Sequence, residues 1–125
     1  MSDAIARIGV YGGAFDPPHL AHRAVVEAAL DQLDLDILLL LPTGQAWHKT
    51  RPLTDGAHRL AMCRLAFGDL ARVRIDDREI RRRGPTYTID TLREVASDHP
   101  GARLFLIIGA DQLLASLFEQ EKAQE

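Results

Sequence analysis

Short apolar runs alternate with longer stretches of helical periodicity along this chain. The runs that predict strands span residues 5–11, 36–41, 73–75 and 104–108. The second run is apolar on both faces, as expected of a buried parallel strand. Helical patterns follow the runs and begin near residues 19, 54, 86 and 112. This alternation predicts an α/β fold, in which right-handed βαβ units build a parallel sheet with helices on both faces.

Polar residues predict where two of these helices begin. Thr54 or Asp55 can cap the second helix, and Thr86 or Thr88 can cap the third. The second helix has an apolar face supplied by Leu60, Met62, Cys63, Leu65, Ala66 and Phe67.

The segment after the first strand carries the most informative chemistry. In a parallel sheet, ligands bind beyond the carboxyl ends of the strands. Gly12 and Gly13 let the backbone turn sharply and approach a ligand there. His19 and His22 follow, three residues apart, at the start of a helix whose free N–H groups and dipole favour phosphate. The pattern predicts a phosphate site with its own proton donors, and hence nucleotide chemistry.

A metal site is the competing interpretation of the two histidines. Zinc would need a third protein ligand, and the sequence has no Cys or His cluster with ligand spacing. Imidazole, which titrates near neutral pH, can instead donate hydrogen bonds to phosphate. The Gly-x-Gly-x-x-Gly and Gly-Lys-Ser/Thr fingerprints are absent, which argues against hydride-transfer enzymes and P-loop kinases.

Length, charge and cysteine content restrict the class of protein and its expected location. The 125 residues predict a single domain, 1–125, and the net charge of −3 argues against a nucleic-acid binder. One local exception is an arginine cluster, interpreted either as a solvated loop or as an anion-binding lid: Arg78, Arg81, Arg82 and Arg83. The lone Cys63 predicts a buried thiol in a reducing compartment. No membrane span or signal pattern is visible, so we expect a cytoplasmic protein.

Four segments together carry a family resemblance. Residues 12–22 (GGAFDPPHLAH) resemble the signature of nucleotidyltransferases with the histidine-x-x-histidine motif. The segments 42–49 (PTGQAWHK), 84–92 (GPTYTIDTL) and 107–113 (IIGADQL) narrow the resemblance to bacterial nicotinate-nucleotide adenylyltransferases. The resemblance runs from about residue 8 to residue 114 and implies a Rossmann-like sheet.

The resemblance implies adenylyl transfer from ATP to nicotinate mononucleotide, which gives nicotinate adenine dinucleotide and pyrophosphate in NAD biosynthesis. Mg²⁺ is the implied metal, held mainly by phosphate oxygens and water. The implied partners are these small molecules, with homo-oligomerisation possible and neither nucleic acid nor membrane involved. Two alternatives stay open: adenylyl or cytidylyl transfer to another phosphorylated acceptor, and a truncated, non-catalytic remnant that only binds nucleotide.

Three residues are implied to be catalytic. His19 and His22 resemble the pair that binds the ATP phosphates and stabilises the transition state, and Lys49 resembles a cation that helps to hold phosphate. Taken without the resemblance, Lys49 could equally be an ordinary loop lysine. Trp47, two residues earlier, could cover the core edge or stack on a base.

Further residues are implied to bind the substrates. Gly12, Gly13 and Phe15 shape the loop that meets the nucleotide. Thr86 and Tyr87 lie where the family recognises the nicotinate nucleotide, partly through backbone N–H groups, although Thr86 could also be a simple helix cap.

Asp111 resembles a carboxylate on the adenosine side, at the ribose, and is also an N-cap candidate. Asp16 is expected to fix its turn by accepting backbone hydrogen bonds.

The sequence departs from the family pattern in three places. Ala14 replaces the usual Thr or Ser, and Ala21 replaces the usual Gly, which should be tolerated if that position is helical. Family members also continue past this chain, so we expect the C-terminal part of the family fold to be missing. Residues 115–125 then form a diverged or frayed tail, and the strand at 104–108 lies at an open edge.

Overall fold

A computed structural model describes residues 5–44, 53–82, 84 and 87–109 of the chain. Within these ranges the strands are β1 (Arg7–Gly13), β2 (Ile37–Pro42), β3 (Val73–Ile75) and β4 (Arg103–Ile107). The helices are α1 (Leu20–Gln32), α2 (Gly56–Phe67), α3 (Arg78–Arg81) and α4 (Thr88–Asp98).

The four strands form one parallel sheet in the order β3-β2-β1-β4. The chain builds the sheet outward from β1 through β2 to β3, then returns to place β4 on the other side of β1. The order therefore reverses at β1, and such a reversal opens a crevice at the carboxyl ends of the two strands beside it. The predicted α/β class and parallel sheet are confirmed.

Alternation along β2 sends its leucines to two separate cores. Leu38 and Leu40 pack with α1 and α2 residues such as Val26 and Phe67 on one face of the sheet. Leu39 and Leu41 lie on the other face. There they pack with Val95 of α4, so helices cover both faces as the sequence predicts.

Several local predictions need correction. β1 continues through both glycines, because Gly12 pairs with Leu41 and Gly13 with Pro42, and the chain leaves the sheet only after them. Leu65, which the sequence assigns to the buried face of α2, is 87% exposed. The arginine-rich stretch contains the short helix α3 rather than only a loop. β4 is shifted by one residue from its predicted bounds.

Other local predictions are confirmed. Asp55 caps α2 by accepting a hydrogen bond from the N–H of Ala57. Cys63 is fully buried, and this burial raises the pKa of its thiol to about 11. Ala21 is helical, the condition under which alanine should be tolerated there.

β4 is an edge strand of the described sheet. Within the described ranges β4 pairs only with β1 and forms one edge of the sheet, where Leu106 is exposed. None of the helices in these ranges is long and apolar enough to cross a membrane.

Candidate active site

The two histidines meet where α1 begins, beside the carboxyl end of β1. His19 is the N-cap residue, with an extended backbone, and His22 is the third residue of the helix. Their rings stack with centroids 3.8 Å apart and planes 27° apart. The sequence places both histidines at one helix start, and the structure brings the two imidazoles into direct contact.

A hydrogen bond fixes the orientation of the second ring. The backbone N–H of His19 donates to Nδ1 of His22 at 3.0 Å. Since Nδ1 accepts, neutral His22 carries its proton on Nε2, which makes that nitrogen a donor. His19 is exposed and His22 is half-buried, so the pair lies at the surface. The first-turn N–H groups of α1 have no acceptor within the helix, and that of His22 is paired with the His19 side chain in a capping box.

Phe15 packs between His22 and the hydrophobic core. Its ring is buried and contacts the His22 ring edge-on, with centroids 4.9 Å apart. The same ring packs against Tyr11 and Phe67 of the core. The backbone of Phe15 has a φ of +48°, which is unfavourable for a bulky residue and persists only where the surroundings hold it. Phe15 therefore links the core to the loop that leads into the histidines.

A salt bridge holds the start of α1 against α2. Arg23, next to His22, donates two 2.7 Å hydrogen bonds to the carboxylate of Asp69 and one at 2.8 Å to the carbonyl of Ala66. The hydrogen bond from Arg23 lowers the pKa of the Asp69 carboxyl.

Arg59 is a buried residue that the sequence analysis does not single out. Its side chain, in the first turn of α2, is only 2% exposed. The guanidinium donates to three backbone carbonyls, those of Ala14, Thr43 and Thr54, and we call this arrangement the Arg59 junction. The burial of Arg59 could be predicted from sequence, because position 59 lies one helical turn before Cys63 on the apolar stripe of α2.

Asp16 makes a second link in the same place. Its Oδ2 accepts a hydrogen bond of 2.9 Å from the backbone N–H of Thr54. Asp16 thus accepts a backbone hydrogen bond, as expected, but from a segment 38 residues away. The bond joins the loop after β1 to the segment before α2.

A cleft of about 380 Å³ opens on the other side of β1. This volume falls in the range of small-molecule sites. Polar and apolar residues from β1, the segment after β2, α3, α4 and the end of β4 line it, among them Gly12, Thr43, Glu79, Thr88, Thr91 and Ile108.

Glu79 is the buried carboxyl group of this cleft. Its Oε2 accepts a hydrogen bond of 2.7 Å from the hydroxyl of Thr91. Burial raises the pKa of Glu79, and the bond from Thr91 and the charge of Arg82 oppose that shift. The prediction that Thr88 caps α4 is wrong: exposed Tyr87 is the N-cap residue and Thr88 is the first residue of the helix.

The three arginines of the cluster that the structure describes, Arg78, Arg81 and Arg82, pair with carboxylates of the fold. Arg78 binds Asp76 and Asp98 at 2.8 Å each, and Arg82 binds Glu94. We call these five residues the α3–α4 ion-pair network. Arg81 pairs with Asp77 at 2.7 Å. These carboxylates already occupy the guanidinium groups, so neither the solvated-loop interpretation nor the anion-lid interpretation describes Arg78 and Arg82.

Some predicted residues lie outside the described ranges. They are Trp47, Lys49, Arg83, Thr86 and Asp111. Within 5–44, 53–82, 84 and 87–109, no group of three or more His, Cys, Asp or Glu side chains could hold a metal ion.

Comparisons with known proteins agree with this architecture. Residues 10–125 match the model of the family described as cytidylyltransferase-like. The chain is 60% identical over 109 residues to a "Probable nicotinate-nucleotide adenylyltransferase" of Albidiferax ferrireducens, covering 87% of this chain and 55% of that protein. A protein of the same name from Methylibium petroleiphilum is 47% identical, with 85% and 50% covered. The chain thus spans about half the length of the curated relatives it matches.

Solved structures resemble the fold. Plasmodium falciparum nicotinic acid mononucleotide adenylyltransferase, complexed with NaAD, superposes with a TM-score of 0.71 at 23% identity. The match covers 81% of this chain and 50% of that one. The same enzyme complexed with APC gives a TM-score of 0.67 at 21% identity. At these identities the likeness supports the fold alone.

Proposed function

Because this chain belongs to the cytidylyltransferase-like family, we propose that it transfers the adenylyl group of ATP to nicotinate mononucleotide. A phosphate oxygen of the mononucleotide attacks the α-phosphorus of ATP in line. The bond from that phosphorus to the bridging oxygen breaks, and pyrophosphate leaves. The reaction needs no covalent enzyme intermediate. Aligning the two substrates can lower the barrier by up to about 7–11 kcal/mol.

The observation that carries this proposal is the stacked pair of imidazoles at the start of α1. His22 presents Nε2 as a donor, and the adjoining helix start favours anions through its N–H groups and dipole. Hydrogen bonds from His19 and His22 to the triphosphate would stabilise the charge that develops on the leaving pyrophosphate.

The cleft beside β1 is the proposed acceptor site. It lies between β1, β4 and α4, at the carboxyl edge where the strand order reverses. Gly12 lines the cleft, and the chain continues from it through Gly13 into the loop that leads to the histidines. An acceptor in the cleft would therefore face ATP across β1. The names of the curated relatives favour nicotinate mononucleotide over other phosphorylated acceptors.

Several details belong to the proposal through the resemblance only. Lys49 would hold phosphate, Thr86 and Tyr87 the nicotinate nucleotide, Asp111 the ribose, and Phe15 would shape the nucleotide loop. Mg²⁺ would arrive bound to ATP, held by phosphate oxygens and water. A single domain and a cytoplasmic location are part of the same proposal.

Pyrophosphate release from ATP and nicotinate mononucleotide tests the proposal. We expect the wild-type chain to release pyrophosphate and His19→Ala to abolish release, because a phosphate donor is lost. His99→Ala is the matched control, since His99 ends α4 away from the carboxyl edge of the sheet. Equal turnover by wild type and His19→Ala would refute the assignment. Replacing the acceptor with phosphopantetheine tests the acceptor class.

A further inference from the structure

Arg59 is buried, and no carboxylate among the described residues pairs with it. It is among the largest fully buried side chains of the protein. Throughout the part of the chain that the structure describes, its only polar contacts are three backbone carbonyls. Burying a guanidinium is costly unless its donors are satisfied, so these contacts stabilise both the arginine and the carbonyls.

The three carbonyls belong to three different segments. Ala14 lies in the loop after β1, Thr43 follows β2, and Thr54 precedes α2. The distances from the guanidinium nitrogens are 3.1 Å to Ala14, 2.6 Å to Thr43 and 2.7 Å to Thr54. One side chain thus fixes the relative positions of the two loops that leave the central strands at the carboxyl edge.

The loop after β1 continues directly into the proposed phosphate site. Phe15 follows Ala14 and contacts the His22 ring. Four residues after Phe15, His19 is the N-cap residue of α1. A shift of the Ala14 carbonyl would therefore move the backbone that carries Phe15 and His19. The bond between Asp16 and Thr54 joins the same two segments and leaves the loop little freedom.

We propose that Arg59 is a positioning residue, which sets the geometry of the two imidazoles through the Ala14 carbonyl without touching the nucleotide itself. This inference rests on the proposed function for its catalytic consequence. Lysine cannot replace arginine, because a single ammonium group lacks the rigid fork of donors that reaches carbonyls in different directions.

The test compares Arg59→Lys with wild type and with Arg72→Met. Arg72 also donates to a backbone carbonyl, that of Leu35 at 2.8 Å, but just before β2 at the opposite edge of the sheet, so it is a matched control. We expect Arg59→Lys to lower kcat by on the order of 10²-fold, because small misplacements of reacting groups can have effects of this size. The KM for nicotinate mononucleotide should change by a smaller factor than kcat, since Thr43 is the one carbonyl partner of Arg59 that also lines the proposed acceptor cleft.

A second measurement needs no substrate. Because the imidazoles are stacked, each ring shifts the proton resonances of the other. We expect the ring-proton NMR signals of His19 and His22 to move in Arg59→Lys and to stay in place in Arg72→Met. If Arg59→Lys does not fold, Arg59→Gln, which keeps a donor but not the fork, takes its place.

The two measurements separate two kinds of failure. Unchanged histidine signals and wild-type kcat in the folded Arg59 variant would overturn the inference. Equal losses of kcat in the Arg59 variant and Arg72→Met would also overturn it, because the effect would then be general. If the histidine signals move in the Arg59 variant but the wild-type chain releases no pyrophosphate, the proposed function is overturned. The positioning role of Arg59 then still stands.

Discussion

Arginines hold two regions of this molecule together in different ways. At the Arg59 junction, one buried guanidinium binds backbone carbonyls from three of the described segments. In the α3–α4 ion-pair network, Arg78 and Arg82 bind the side chains of Asp76, Glu94 and Asp98, which are partly exposed. The first arrangement fixes the backbone of the proposed phosphate site, and the second joins α3 to α4.

The difference shows why a conspicuous arginine cluster is a poor guide to function. The clustered arginines fit either a solvated loop or an anion-binding lid from sequence, yet carboxylates of the fold pair with Arg78, Arg81 and Arg82. Arg59, on the apolar stripe of α2, instead binds the backbone that leads into the proposed phosphate site. Backbone carbonyls cannot adjust as side chains do, so contacts with them fix loops more strictly than surface ion pairs, which are worth little individually.

The largest expected effect on stability comes from removing the main arginine of each region, Arg59 or Arg78. Arg59→Met should lower the free energy of unfolding by about 3–5 kcal/mol, because three backbone carbonyls in part-buried hydrogen bonds each lose their donor. Arg78→Met should cost about 1–3 kcal/mol, since it leaves half-buried Asp76 without its main partner. Chemical denaturation of both variants measures these values.

Arg81→Met is the control for that comparison. Arg81 is 70% exposed and, among the described residues, pairs with Asp77, so its loss should change stability by less than about 0.5 kcal/mol. If Arg78→Met proved more destabilising than Arg59→Met, the distinction between the two regions would be lost.

A second prediction concerns Gly44, which follows Thr43 of the Arg59 junction, and Gly12, which lines the cleft. A Cβ at Gly44 would clash with the backbone oxygen of Glu79 in α3, so Gly44→Ala should destabilise the fold by about 1–3 kcal/mol. A Cβ at Gly12 would come no closer than 3.6 Å to its neighbours. Gly12→Ala should therefore fold normally but lower turnover where the backbone approaches substrate.

Thermal unfolding and pyrophosphate release measure the two halves of this prediction. A Gly12→Ala protein with normal turnover would show that substrate does not approach this strand end closely.

The smallest expected effect is a pair of opposite pH dependences. Burial raises the pKa of Glu79, so this group stabilises the fold only at low pH, and its contribution is lost as pH rises from about 4.5 through the folded pKa. Glu79→Gln should therefore gain stability relative to wild type as pH rises through that window. Burial opposes ionisation of Asp76, but hydrogen bonds from Arg78 outweigh it and lower the pKa.

Asp76 therefore contributes stability above pH 3.8, which is lost as pH falls through the lowered folded pKa. Asp76→Asn should be less stable than wild type at neutral pH and approach it in acid. Denaturation curves between pH 3 and 8 check both variants. Parallel slopes for the two would contradict the assigned charge states.

Much of the fold follows from local sequence. The run of leucines in β2 and the spacing of apolar residues in α1 suffice to predict the sheet and its helical cover. The prediction that Gly12 and Gly13 form the turn is wrong, because strand pairing with Leu41 and Pro42 keeps both glycines in β1. Local pattern cannot reveal such pairing.

The site was predictable only in part. The spacing of His19 and His22 places both at one helix start, but their ring stacking depends on the hydrogen bond to Nδ1. The neutralisation of Arg78 and Arg82 depends on Glu94 and Asp98, which are 12–20 residues away and reach them only through tertiary packing. The position of Arg59 on the apolar stripe of α2 indicates burial, but its three carbonyl partners follow from no sequence pattern.

The paired imidazoles are the central claim, and NMR of the histidine rings during ATP titration tests it most directly. We predict that ring signals of both His19 and His22 shift together and saturate with ATP, while those of His99 stay in place. Signals of His19 and His22 that do not respond to ATP, or that move only as much as those of His99, would contradict the account.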